Sequence, residues 1–123
     1  EDMSNMLYVQ PSLIEEGFTP VSREEQTKYG FIDVFGYDKN GVLTIVECKR
    51  FTADLSAVTQ LRRYVEKVKE SKGISAVRGI IASPKITENA KKMLYDWGFS
   101  HVAVQPPKYH ESYNKKQLRL DGF

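Results

Sequence analysis

Asp33, Glu47 and Lys49 are the side chains whose types and spacing could do chemistry. Two carboxylates can hold a hard divalent cation such as Mg²⁺ or Mn²⁺, which prefers oxygen ligands. An ammonium group beside them can orient a water molecule or neutralise charge that develops on a phosphate. Whether the three meet depends on the strands that carry them. Side chains alternate along a strand, so Leu43, Ile45, Glu47 and Lys49 share one face, and Phe31, Asp33, Phe35 and Tyr37 share one face of the strand before it. The turn between the strands sets the register. A loop of Lys39, Asn40 and Gly41 pairs Asp38 with Val42 and brings Asp33 opposite Glu47. A tighter Asn40-Gly41 turn brings Asp33 opposite Cys48 instead. Both turns suit these residues, and a bulge would change the count. In the first register two acids oppose each other, which is destabilising unless a pKa rises or a cation intervenes. A lone Glu-x-Lys on a strand is ordinarily a solvated face. Leu43 and Ile45 on the same side argue instead for burial.

The elements that must position these residues can be read along the chain. Residues 1–16 carry an apolar stripe at helical spacing (Met3, Met6, Leu7, Leu13, Ile14), with Pro11 breaking or restarting the helix and Gly17 ending it. Residues 18–25 predict a strand that Pro20 places near an edge or a start. Strand, turn and strand follow in "GFIDVFGYDKNGVLTIVECK". Asp54 then caps a helix reaching to about Ser71, with Leu55, Val58, Leu61, Val65 and Val68 inward. "AVRGIIASP" predicts a buried strand, with Gly79 marking close packing. Thr87 caps a helix ending at Gly98, and "FSHVAV" is the last strand. The order is α-β-β-β-α-β-α-β, an α/β class with a mixed sheet flanked by helices. Residues 1–106 form the folded domain, and residues 107–123 read as an extended tail.

The composition excludes several classes. A chain of 123 residues with 41% hydrophobic content suffices for one cored domain. Eighteen basic and sixteen acidic residues leave a net charge of only +2, so any nucleic-acid face must come from local clustering. The single Cys48 permits no internal disulfide. No apolar run nears the ~20 residues of a membrane span, and no signal peptide is expected. A cytoplasmic protein with no membrane partner is the expectation. The chain opens on Glu1 rather than Met, which suggests a domain of a longer protein.

Asp33 followed by Glu47-Cys48-Lys49 on adjacent strands resembles the PD-(D/E)xK nuclease pattern, with Ile32 where Pro often stands. Gln60 to Tyr64 resembles the QxxxY motif of the RecB-like branch, and their spacing of four puts them on one helix face. The stretches "EEGF", "YGFIDVFGYDKNGVLTIVECKR", "AVTQLRRYV", "VRGIIASPKIT" and "AKKML" together resemble the C-terminal domain of the archaeal NucS/EndoMS mismatch endonucleases. That resemblance implies a restriction-endonuclease-like fold and Mg²⁺- or Mn²⁺-dependent DNA cleavage, on mismatched duplexes cut by paired subunits, with branched or single-stranded DNA a second substrate class. It implies metal ligation by Asp33 and Glu47, assistance to the attacking water by Lys49, and support from Gln60 and Tyr64. It also implies a first-helix glutamate, for which Glu1 is the candidate, with Glu15 and Glu16 behind it. A RecB-like exonuclease or junction resolvase, and a non-catalytic DNA- or clamp-binding module, are the alternatives.

Among the basic residues, Arg50, Arg62 and Arg63 are candidate DNA contacts, Arg50 foremost because it follows the motif. A solvated helix face is the competing reading for the arginines of the long helix. His101 and His110 lack ligand spacing for zinc, and Cys48 points away from Glu47 as a small core residue. Trp97 at a helix end reads as core or hydrophobic cap. In the tail, Gln117, Leu120 and Phe123 match positions one, four and seven of sliding-clamp-binding peptides, without the eighth-position aromatic. The tail is therefore a candidate clamp contact (PCNA in archaea), with a frayed terminus as the plain alternative.

Overall fold

A computed structural model describes residues 2–27 and 30–107. The elements in chain order are α1 (Asp2–Val9), a 3₁₀ turn (Pro11–Leu13), β1 (Thr19–Thr27), β2 (Gly30–Tyr37), β3 (Leu43–Cys48), β4 (Thr52–Ala53), α2 (Leu55–Lys72), β5 (Val77–Ser83), β6 (Lys85–Ile86), α3 (Glu88–Asp96) and β7 (Ser100–Ala103). Five strands form one sheet in the order β1-β2-β3-β5-β7, and β4 and β6 form a separate short parallel pair. The β1-β2 and β2-β3 pairs are antiparallel, whereas β3-β5 and β5-β7 are parallel. The expected mixed sheet with helical flanks is present. The short β4-β6 pair is an addition that the sequence did not signal.

The central strands are buried because helices cover both sides. One cluster joins Ile45 and Ile81 to Val58, Leu61, Val65, Ala90 and Leu94 of α2 and α3. The other joins Val34, Val46, Ile80 and Ala82 to Met3 and Leu7 of α1 and to Ile14 and Phe18. Parallel strands need such cover on both faces, which explains the near-continuous apolar runs of β3 and β5. Pro11 ends α1 early, and residues 11–13 restart as a 3₁₀ turn. Asp54 caps α2 by accepting from the Ser56 and Ala57 N–H groups, and Thr87 caps α3 through Ala90 N–H.

Gly36 and Gly79 are sites of close approach within the sheet. A Cβ at Gly36 would lie 2.1 Å from the Thr19 carbonyl oxygen, at the place where the β1-β2 register shifts. A Cβ at Gly79 would lie 3.0–3.2 Å from Phe99 and Leu61, which explains the small residue in β5 under α2. Among the described residues no helix is long and apolar enough to cross a membrane.

Candidate active site

The turn between β2 and β3 settles which acids meet. The ladder pairs Tyr37 with Leu43 and Val34 with Val46, the register of the three-residue loop. Gly41 takes a left-handed φ of 77°, and its N–H bonds the Asp38 carbonyl at 2.9 Å. The Asp38 carboxylate accepts from the N–H groups of Asn40 (2.9 Å) and Val42 (2.8 Å), and the Val42 bond is the main reason its pKa is lowered. The next step in this register places Asp33 across from Glu47. There the backbone ladder stops, and the Asp33 side chain takes over: its Oδ2 accepts the Cys48 N–H at 2.8 Å. Strict alternation also breaks at this point. Ile32 packs with Phe35 on the α2 side of the sheet, whereas Val34 packs on the α1 side. Asp33 therefore sits where two strands begin to separate, with its carboxylate anchored between them.

Glu47 pairs in parallel register with Ile81, which is fully buried under α2. Glu47 itself is only 7% exposed. Burial first, and the nearby Asp33 charge second, push its carboxyl up to about 7, against the pull of Lys49. Lys49 Nζ lies 3.7 Å from Glu47 Oε2, and that side chain stays 43% exposed. Its backbone is pinned by the bond from Lys49 N–H to the Ala82 carbonyl (2.9 Å). Glu47 thus lies poorly solvated beside a second acid, with the partly exposed Lys49 ammonium set against it. A divalent cation would relieve this conflict. Among the described residues, no group of three or more His, Cys, Asp or Glu side chains could hold a metal. The carboxylates available are Asp33 and Glu47, and this set suits Mg²⁺ or Mn²⁺. Mg²⁺ keeps several waters and takes one or two carboxylates together with substrate phosphate oxygens.

Helix α2 runs back along β3. Its far end, at Val68 and Lys72, lines a small cavity with Tyr37 and Leu43, so its first turns lie toward the Glu47 end of the strand. Gln60 is on that half. Its Nε2 donates to the Tyr64 hydroxyl, and its Oε1 accepts from Arg63 Nη1 at 2.6 Å. Tyr64 is buried in the core, so it holds Gln60 rather than facing solvent. The Arg62 guanidinium lies 4.1 Å from the Trp97 ring centroid, which gives Trp97 a packing role at the α3 end. Arg50 leans on Phe51, 5.9 Å from its ring centroid.

Some expected residues are not brought to the site. Glu15 is bound by Arg78 Nη1 and Nη2 at 2.6 and 3.1 Å, and Arg78 Nη1 also reaches Asp38 Oδ2 at 3.1 Å. Arg78 pairs with Thr44, at the opposite end of β3 from Glu47, so Glu15 serves structure there. Glu1, Gln117, Leu120 and Phe123 lie outside the described residues. Sequence reasoning missed the buried Ser83, whose hydroxyl donates to the Lys85 carbonyl (2.7 Å) and accepts from His101 Nε2 (2.9 Å). Burial holds the His101 pKa below its ordinary range. Neither residue carried a spacing signal, because β7 brings His101 to Ser83 only in the folded sheet.

Comparison with known proteins supplies independent evidence. The family model described as the endonuclease NucS C-terminal domain matches residues 1–122. The chain is 44% identical over 122 residues to Endonuclease NucS of Pyrococcus abyssi, covering 99% of this chain and 48% of that protein. It is 46% identical over 128 residues to Endonuclease NucS of Methanocaldococcus jannaschii, covering 99% of this chain and 49% of that protein. The chain thus spans about half the length of the curated relatives it matches. Among solved structures, a repair endonuclease from Pyrococcus abyssi superposes with a TM-score of 0.81 at 44% identity, over 86% of this chain and 46% of that one. EndoMS in complex with double-stranded DNA superposes with a TM-score of 0.81 at 38% identity, over 86% of this chain and 44% of that one.

Proposed function

The chain belongs to the family of endonuclease NucS C-terminal domains, and from that premise we propose that it is the cutting domain of a metal-dependent DNA-repair endonuclease, acting on mismatched double-stranded DNA. The observation that carries this reading is Glu47: a carboxyl pushed up to about 7 by burial and by Asp33, against the pull of Lys49. Asp33 and Glu47 would hold Mg²⁺ or Mn²⁺. When bound, the cation would supply Lewis-acid polarisation of the phosphate and a lower pKa for an attacking water. Asp33 is anchored on Cys48 N–H, which holds its carboxylate beside Glu47. The Lys49 ammonium is exposed enough to meet solvent or a phosphate oxygen while it stays near Glu47. Gln60, clamped by Tyr64 and Arg63 on the first half of α2, would support the metal site or the substrate.

Double-stranded DNA is supported by the EndoMS–DNA complex that this chain resembles at 38% identity, and the choice of mismatched duplexes rests on the resemblance read from the sequence. Cutting of both strands would need two such domains, supplied by a homodimer of the full-length protein. The tail residues Gln117, Leu120 and Phe123 extend the reading to a sliding-clamp partner, on their match to clamp-binding peptides.

The test is product analysis with the full-length protein on covalently closed circular DNA carrying one mismatch. Linearisation near the mismatch with Mg²⁺ or Mn²⁺, and none with chelator, is expected. Cutting only of DNA with free ends would make the domain an exonuclease; cutting only of branched DNA would make it a junction resolvase. Arg50 carries a second prediction. Arg50→Ala is expected to weaken DNA binding across all sequences and to reduce the slope of log K against log salt by about one. Fluorescence anisotropy over a salt series measures both.

A further inference from the structure

Phe51 is the most exposed large apolar side chain among the described residues, at 72%. It stands two positions after Lys49, in the link between β3 and β4. That link is held on both sides: Lys49 N–H bonds the Ala82 carbonyl at 2.9 Å, and Thr52 pairs with Lys85 in the β4-β6 ladder. The ring is therefore presented to solvent from a pinned backbone. The Arg50 guanidinium lies 5.9 Å from its centroid, so a cation and an aromatic face stand together one and two residues beyond Lys49. A single exposed ring needs no partner in itself, but next to a cation and two residues from Lys49 of the proposed cutting site the surface that fits it is a nucleobase face. Arg50 would track the backbone, as in other aromatic-plus-cation surfaces for unstacked bases.

Resting on the nuclease reading above, we propose that Phe51 is a positioning residue that packs against the base of a nucleotide flanking the scissile phosphate, with Arg50 directed to the adjoining phosphate. The ring recognises a base that has left its stack, which a mismatched step yields more readily than a paired one. Phe51 touches no reacting atom. Its effect falls on substrate affinity and placement.

The experiment uses the full-length protein and a mismatched duplex, with the Phe51→Ala and Phe51→Tyr variants. Phe51→Ala is expected to raise KM about tenfold, within the range that loss of one base–aromatic stack produces, with kcat changed less than about threefold. Phe51→Tyr should restore KM. On duplexes with an abasic site at a flanking nucleotide, wild type and Phe51→Ala should differ less than about twofold, because the base that the ring meets is gone. An unchanged KM in Phe51→Ala on the intact duplex would overturn the proposal. So would an equal loss on intact and abasic duplexes with a lowered Tm without DNA, which assigns Phe51 to packing within the protein. If wild type cuts DNA and Phe51→Ala behaves as wild type, only this inference fails. If wild type cuts no DNA, the nuclease reading fails and takes this one with it.

Discussion

Replacing Glu47 with Gln is expected to lower DNA cleavage about a thousandfold or more while the protein stays folded. The size follows from the proposed role. Losing a metal-holding carboxylate removes several kcal/mol of transition-state charge stabilisation, and about 1.4 kcal/mol corresponds to tenfold in rate. The fold should tolerate the change, because Gln has nearly the same volume and removes a buried acid that Asp33 repels. Single-turnover cleavage, with thermal unfolding of the same preparation, separates the two effects. A thousandfold loss with an unchanged or raised Tm at pH 8 supports the assignment. Cleavage within about threefold of wild type would remove Glu47 from the chemistry, and with it the reading of the site.

The second large effect is the dependence of stability on pH in the absence of divalent metal. In the folded protein Glu47 is raised from its ordinary 4.5 to about 7. A carboxyl raised on folding holds its proton more tightly in the native state. Its contribution is fully present below about pH 4.5 and is lost as pH rises through 7. At about 1.4 kcal/mol for each pH unit, this rise from 4.5 to about 7 corresponds to roughly 3 kcal/mol. Urea unfolding from pH 4 to 8 in chelator should therefore show wild type falling relative to Glu47→Gln by about that amount. Mg²⁺ or Mn²⁺ at pH 8 should stabilise wild type by binding the native state, and should do less for the variant. Parallel pH curves for the two proteins would mean that Glu47 is not held in the strained state described.

Much of this arrangement was legible in the chain because it depends on local chemistry. The caps at Asp54 and Thr87 and the break at Pro11 are each properties of one residue and its chain neighbours. Gly79 was legible as a small residue in an apolar strand, although the side chains it makes room for, Leu61 and Phe99, are distant in the chain. The hairpin register was harder, since two turns suited Asn40-Gly41. Asp38 resolves it by bonding the Asn40 and Val42 N–H groups, which requires the longer loop. What could not be read depends on distant partners. The Asp33 carboxylate completes a rung to Cys48 that backbone pairing would otherwise supply, and Ile32 turns to the α2 side as the strand departs from alternation. Arg78 ties Glu15 to Asp38 across sequence separations of 63 and 40 residues, which removes Glu15 from the candidate acids. Arg62 on Trp97 and His101 on Ser83 are likewise products of packing between elements.

The account rests on Asp33 and Glu47 sharing one divalent cation. Its most direct measurement is a crystal structure of the protein soaked in Mn²⁺, with the ion located by anomalous scattering. The expected result is a Mn²⁺ peak touching carboxylate oxygens of both Asp33 and Glu47, lost in Glu47→Gln. A fully occupied ion elsewhere, with the two carboxylates untouched, would contradict it.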